Sequence, residues 1–495
     1  MHLSPSRLRL LVVALLSVSF LGALDHTVVS TSLATIAGEL GALEQIGWVV
    51  VAYTLASTVL LPVLGKLGDV VGPRAVFHGS LVVFLVASML CGFANDMALL
   101  IAARALQGAS SAGLQLMSQT IVARVTTPRE RPKYMALIGA AFPVAILVGP
   151  VVGGVLTDYW GWPWVFWINL PVGVVALILA VVAVPHLDGG ERRAFDVAGA
   201  VAFTAALTAV VLAVTWLPDP SNRTAALVAT AAAIVLLVVL LVVEARADEP
   251  ILPVRYFADR TVAAGTALSA IIGIGLFSIT AYLPTYFQMA YRTSVTVSGL
   301  VPIATVFGML TSNLLTGFLA SRTGHYRVYP IVGTILGAAG LLQMALLPAG
   351  LPLGVPMLVM AGVGLGTGSF MSLIVTVVQS AAPPTEVGAV TATVNIVRQV
   401  GSTVTTAVIG AIVGVGVAAL LPVGIDAATL TPQFVHAASP AVQEQIAAIY
   451  RDVFAPVFIA LAATYGVGIV AALLLPRRTL SAEYDIVPEP DPVTA

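Results

Sequence analysis

GKLGDVVGPRAV, Gly65 to Val76, and GFLASRTGHYRV, Gly317 to Val328, share Gly, Leu, Gly and Val at four of twelve positions, 252 residues apart. Each follows one apolar run and leads into another. A second echo lies near the same offset, with Pro128 and Glu130 in one place and Pro384 and Glu386 in the other. Two echoes at nearly one offset read as a duplication, so two related halves are expected.

Composition says where those halves sit. The chain is 59% hydrophobic and 9% charged, with a mean hydropathy of +1.02; a soluble domain carries about 25% charged residues. A water-facing surface of this size cannot be covered with so little charge, so the chain reads as a polytopic membrane protein. Cys91 is the single cysteine and the formal net charge is -1. That excludes an internal disulfide scaffold and any global basic field for nucleic acid.

A helix crosses a bilayer with about 20 apolar residues. Fourteen segments qualify: 9–36, 46–66, 75–94, 98–122, 134–157, 164–185, 195–216, 224–244, 261–289, 297–320, 328–348, 353–379, 388–418 and 453–475. The first begins after Arg7 and Arg9, as a signal peptide does, but its length and Asp25 mark it as a retained span. Cytoplasmic loops are rich in Lys and Arg. With both termini inside, seventeen of the 22 basic residues fall on that side, three outside, and Arg104 and Arg398 within spans. An odd span count would scramble this bias, so count and orientation support each other. The division expected is 1–186 for a first six-helix half, 187–254 for an inserted pair of spans with its linker, 255–476 for a second six-helix half, and 477–495 for a disordered cytoplasmic tail.

Within FLGALDHTVVST, Phe20 to Thr31, Asp25 lies about 16 residues into span 1 and is the only acid away from the ends of the expected segments. A charged Asp at a helix centre costs about 3 kcal/mol on insertion scales; such residues usually face an interior and serve a function. Asp25 is therefore the candidate proton site, the alternative being a structural pair with an arginine. His26, beside it, either relays protons or packs.

Span 4 carries Arg104, Gln107, Ser111, Gln115 and Ser118 at steps that keep them on one face. Span 13 carries Asn395, Arg398, Gln399 and Ser402. Both polar faces are expected to line one central cavity, with Arg104 as partner of Asp25; the alternative is that the arginines satisfy carbonyls and lock helices. Asp69, with Lys66 and Arg74 nearby, is placed to cap a helix or accept from an arginine across the interface, or is a plain loop turn. Gly149, Pro150, Gly153 and Gly154 give span 5 a small-residue face for close backbone approach, and Pro143 and Pro150 allow a bend. Tyr282 and Tyr286, four apart in span 9, share a helical face and either contact a flat apolar ligand or face lipid.

These stretches together resemble the major facilitator superfamily, in its fourteen-helix drug:proton antiporter branch (the QacA- and EmrB-like multidrug efflux transporters). GKLGDVVGPR is similar to the family's loop between helices 2 and 3 at Gly65, Leu67, Asp69, Gly72 and Arg74, with Val70 and Pro73 where basic residues are usual. RALQG (104–108), AILVGPVVGG (145–154), LDHTVV (24–29), YLPTYFQ (282–288) and NIVRQVG (395–401) resemble further motifs of that branch. The resemblance implies an all-α membrane protein with the major facilitator fold. It implies a gating role for Asp69, Arg74, Gly65 and Gly72, and an antiporter role for the span 5 glycines.

No phosphate loop, HExxH, CxxC or GxSxG motif occurs, and no His, Cys and acid cluster has metal-ligand spacing. No cofactor or metal and no enzymatic activity are expected, and an ion gradient is the expected energy source. The reading is a proton-coupled antiporter in the cell membrane, functional as a monomer, that exports amphiphilic drugs and confers antibiotic resistance. Because no acid other than Asp25 lies away from the ends of an expected span, monovalent cationic or neutral lipophilic substrates are expected. The alternative is a dedicated exporter of a natural product or lipid.

Overall fold

A computed structural model describes residues 4–40, 45–187, 189, 196–216, 222–247, 254–348, 350–422, 430 and 432–482. Arg192, Arg193 and the tail from 483, on which expectations above fall, lie outside them. Among the described residues, fourteen helices are long and apolar enough to cross a membrane: Pro5–Leu33, Ile46–Val71, Pro73–Gly92, Met97–Val125, Arg131–Trp160, Pro163–Ala183, Val197–Trp216, Arg223–Arg246, Arg260–Thr280, Val297–Thr323, Val328–Leu346, Gly354–Gln379, Val387–Leu420 and Pro440–Leu474. They are called spans 1 to 14. No strand occurs among the described residues beyond an isolated bridge of His325 with Thr479.

Local chemistry accounts for the differences from the expected segments. Span 14 begins at Pro440, because Ser439 caps it by accepting from the Val442 amide and Pro440 stands at its first turn, where no donor is needed. These longer helices also take in Asp69, Asp158, Glu444 and Asp452, so Asp25 is one of several acids in spans and the one buried against Arg104. Span 5 is two helices, Arg131–Gly139 and Ala141–Trp160. Pro143 has no amide to offer the Gly139 carbonyl one turn back, and the ladder breaks there. Span 9 breaks as well: Arg260–Ile272 is α-helical, Gly273–Phe277 is a π segment, and after a turn at Ala281 and Tyr282 the chain restarts as Leu283–Ala290.

Buried apolar side chains gather in separate cores. One is built from Val262 to Leu480; two others belong to the first spans, one of them extended by Phe203 and Leu207 of span 7 and Leu240 of span 8. The duplication in sequence becomes a crosswise contact in space. A Cβ at Gly65 would lie 2.9 Å from the Ala392 Cβ and 2.9 Å from the Gly388 carbonyl oxygen, at the start of span 13. A Cβ at Gly317, its repeat equivalent, would lie 2.3 Å from the Ala136 Cβ and 2.8 Å from the Pro132 carbonyl oxygen, at the start of span 5. Each repeat glycine thus admits the helix that follows the other half's Pro-x-Glu echo. Here "the motif end" denotes the end of the bundle holding these loops.

Candidate functional site

Asp25 and Arg104 are each about 1% exposed, and Arg104 Nη1 donates to Asp25 Oδ2 at 2.7 Å. The other carboxylate oxygen, Oδ1, accepts from Gln107 Nε2 and from Asn169 Nδ2, both at 2.7 Å. Gln107 Oε1 accepts in turn from Arg104 Nη1 at 2.8 Å, and Ser88 Oγ accepts from Gln107 Nε2 at 2.7 Å. Arg104 Nε donates to the Val49 carbonyl at 3.3 Å. The guanidinium carbon sits 4.3 Å from the centre of the Tyr53 ring and 5.8 Å from that of Phe166, within cation–π range. Removing one partner from such a buried pair typically costs 3–5 kcal/mol, because a charge is left uncompensated. Spans 1, 2, 3, 4 and 6 are thereby tied at one level by one carboxylate.

The residues at the edge of this knot behave differently. His26 is exposed although central in span 1, and it meets the Tyr53 ring edge-on with centroids 5.7 Å apart. Tyr53 donates its hydroxyl to Ser111 Oγ at 2.7 Å. Ser111 is half-buried and Gln115 exposed, so the span 4 stripe divides. Gln107, expected in the cavity, is 0% exposed and belongs to the charge network. The helical turn carries it beside Arg104 and toward spans 1, 3 and 6.

In the second half, Asn395 Nδ2 donates to Gln119 Oε1 at 2.9 Å, and Gln399 Nε2 donates to Ser57 Oγ at 3.3 Å. Both bonds cross between halves. Arg398 is half-buried; its Nη2 donates to Asn395 Oδ1 at 3.1 Å and its Nε to Ser269 Oγ at 3.3 Å. It makes no ion pair to any described residue. Tyr282 is half-buried, with its hydroxyl 2.3 Å from where a Gly410 Cβ would lie. Tyr286 is 3% exposed and sits among Phe287, Phe454 and Phe458. The two tyrosines are one α-helical turn apart, the Tyr286 amide donating to the Tyr282 carbonyl at 2.9 Å, but the aromatic rings packed around Tyr286 bury it and leave only Tyr282 partly open.

At the motif end, Asp69 is 5% exposed and reaches across the halves. Its oxygens accept from the amides of Gly388 at 3.0 Å and Ala389 at 2.8 Å, in the first turn of span 13. Those amides have no partner within their own helix, and Glu386 at the N-cap makes no cap bond; its Oε2 accepts from the Tyr256 hydroxyl instead. The guanidinium beside Asp69 is that of Arg124 in span 4, at 3.2 Å. Arg74 lies past Gly72, whose φ of 102° turns the chain into span 3. Arg129 adds bonds to the carbonyls of Ser321 and Arg322, and its amide donates to Ser481.

Spans 1 and 5 meet through two of the four small residues. A Cβ at Gly149 would lie 2.1 Å from Thr27 Oγ1, and one at Gly153 would lie 2.3 Å from Thr31 Oγ1 and 2.6 Å from the Val28 carbonyl oxygen. Gly154 has nothing within 4 Å and Pro150 is exposed. The face holds residues four apart, so their chain neighbours turn away from it.

Sequence reasoning missed Asn169, Ser88 and Tyr53. The lone amide in WINLP was a usable signal, since a buried polar side chain in a membrane span needs a partner. Ser88 and Tyr53 stand singly among apolar residues and gave none.

The bundle is thus a pair of pseudo-repeated helical halves, with one tethered carboxylate inside and a sealed motif end, as in a membrane transporter. The chain belongs to the Major Facilitator Superfamily, whose family model matches residues 15–406; it is a transporter and not an enzyme. It is 31% identical over 414 residues to the multidrug transporter protein MdtP of Bacillus subtilis (strain 168), covering 82% of this chain and 75% of that one. It is 30% identical over 498 residues to the acurin A biosynthesis cluster MFS-type transporter of Aspergillus aculeatus, covering 94% and 89%. Among solved structures, the proton:xylose symporter XylE has the same fold, with a TM-score of 0.64 at 14% identity, covering 97% of this chain and 98% of that one.

Proposed function

We propose that this transporter is a proton-coupled antiporter in the cell membrane, with cytoplasmic termini, that exports small amphiphiles by alternating access and works as a monomer. The observation that carries this reading is the Asp25 knot, a fully buried carboxylate held by one cation and two amides. A proton on Asp25 cancels its attraction for Arg104 and frees the guanidinium. That local charge change loosens spans 1 and 4 at one level, which is how a charge switch biases a two-state element. Exposed His26, against Tyr53 and so close to Arg104, is the route by which a proton from the open side approaches.

The bonds between halves given above run from the motif end to the middle of the bundle, which fits a form closed toward the cytoplasm. The Asp69 cap on span 13 is the latch of that closure, and the seam of Gly149 and Gly153 against Thr27 and Thr31 guides span 1 as the halves rock. The substrates are lipophilic, either neutral or singly charged, and export of drugs of that kind would confer antibiotic resistance; the kinship with a multidrug transporter supports this. A dedicated exporter of an endogenous natural product is the second reading, supported by the kinship with a transporter of a biosynthesis cluster.

The test is efflux from proteoliposomes under an imposed pH gradient. Wild type is expected to move ethidium or a neutral lipophilic dye against its gradient, and Asp25→Asn to move neither. Transport by the variant at the wild-type rate would make the carboxylate structural and locate coupling elsewhere. A wild type that moves no dye favours the dedicated exporter.

A further inference from the structure

The charges in the central part of the bundle do not balance. Asp25 and Arg104 cancel each other within the first half. Arg398 remains, with only neutral acceptors: Ser269 Oγ, Asn395 Oδ1 and no carboxylate among the described residues. A membrane-embedded arginine without a counterion is costly unless something completes it. Its third nitrogen, Nη1, takes part in neither bond, and the side chain is half-buried rather than sealed. Its neighbours Asn395 and Gln399 both bond to the other half, so Arg398 lies beside the interface the halves share.

We propose that Arg398 is the recognition point for the oxyanion head of an amphiphilic substrate, of the carboxylate class. The guanidinium fork matches a carboxylate in charge and geometry. This rests on the export reading above and narrows its substrates toward anions, against the cationic expectation that Asp25 had raised, because Asp25 is already spoken for by Arg104. Asn395 gives the site a release device. Its Nδ2 bonds to Gln119 of the other half while its Oδ1 takes a hydrogen of Arg398 Nη2. Closure of the motif end therefore sets Asn395 in competition with the bound head for the same guanidinium, so that sealing one side loosens the substrate toward the other. Since Asp25 and Arg398 lie in different halves, proton and anion act on each other through the rocking of the halves.

The experiment measures fluorescence binding of dansylaminoundecanoic acid, its methyl ester and a dansyl alkyl-trimethylammonium of the same length to the purified full chain. Wild type is expected to bind the acid roughly tenfold or more tighter than either other probe, the scale of a charge-assisted pair. Arg398→Gln is expected to lose that preference while binding the ester as before, which also shows that it is folded. Asn395→Ala is expected to bind the acid severalfold tighter with the ester unchanged. Equal binding of acid and ester by wild type overturns the proposal without reference to any variant, as does a preference that survives Arg398→Gln. A preference for the acid with no pH-driven export of any probe would leave this inference standing and remove antiport. Driven export without the preference would do the reverse.

Discussion

Each half of the bundle carries an arginine in a polar helix face, Arg104 in the first and Arg398 in the second, and the two are in opposite circumstances. Arg104 is 1% exposed and meets a carboxylate, a glutamine, a carbonyl and two aromatic rings. Arg398 is half-buried and meets a hydroxyl and an amide. The first is saturated. The second has bonding capacity to spare on the side where the halves face each other. On the readings proposed above, a duplicated fold has assigned energy coupling to one copy and recognition to the other.

Stability separates the two most sharply. Arg104→Gln leaves the Asp25 carboxylate buried without a cation, and about 3–5 kcal/mol should be lost, visible as a large fall in unfolding temperature in detergent. Arg398→Gln gives up bonds to neutral groups and should cost about 1 kcal/mol. Equal losses would break the contrast. Combining Asp25→Asn with Arg104→Gln removes both charges, and the double variant should be more stable than Arg104→Gln alone; additive losses in the cycle would mean the pair is not coupled. Asn169→Leu strips one amide donor from Asp25 and should lower stability by about 1–3 kcal/mol, and it should slow proton-driven transport more than it weakens probe binding. A variant of wild-type stability would show that the knot needs only Arg104 and Gln107. The span 1 seam is tested by Gly153→Ala, where overpacking against Thr31 and Val28 costs about 1–3 kcal/mol. Gly154→Ala next to it, with open space around, should stay within about 0.5 kcal/mol.

Much of this was legible in the sequence. The span count follows from apolar length, and the Asp25–Arg104 pairing from a lone acid and a lone base in the same half. Gln107 was visible as part of a stripe, but a stripe is wide enough to face two ways, and only packing shows that Arg104, Gln107 and Ser118 are buried while Gln115 is exposed. Asn169 supplies as short a bond to Asp25 as Gln107 does, yet it has no periodic companion in span 6 to announce it. The tyrosines following span 9 keep the helical spacing, yet spacing alone does not say what covers a face, and Tyr286 is packed under Phe454 and Phe458. Asp69 was expected to cap a helix or accept from an arginine across the interface; it caps span 13, and its arginine, Arg124, comes from span 4 of its own half.

The Asp69 bonds to Gly388 and Ala389 make two backbone amides into a clock for the cycle. Those hydrogens are held by a side chain that belongs to the other half, so on the alternating-access reading proposed above they are released when the halves part at the motif end. Their exchange with heavy water therefore counts openings rather than local fraying. It needs no substrate, dye or vesicle, and the ratio of the rates with and without a ligand gives the shift that ligand imposes on the conformational balance.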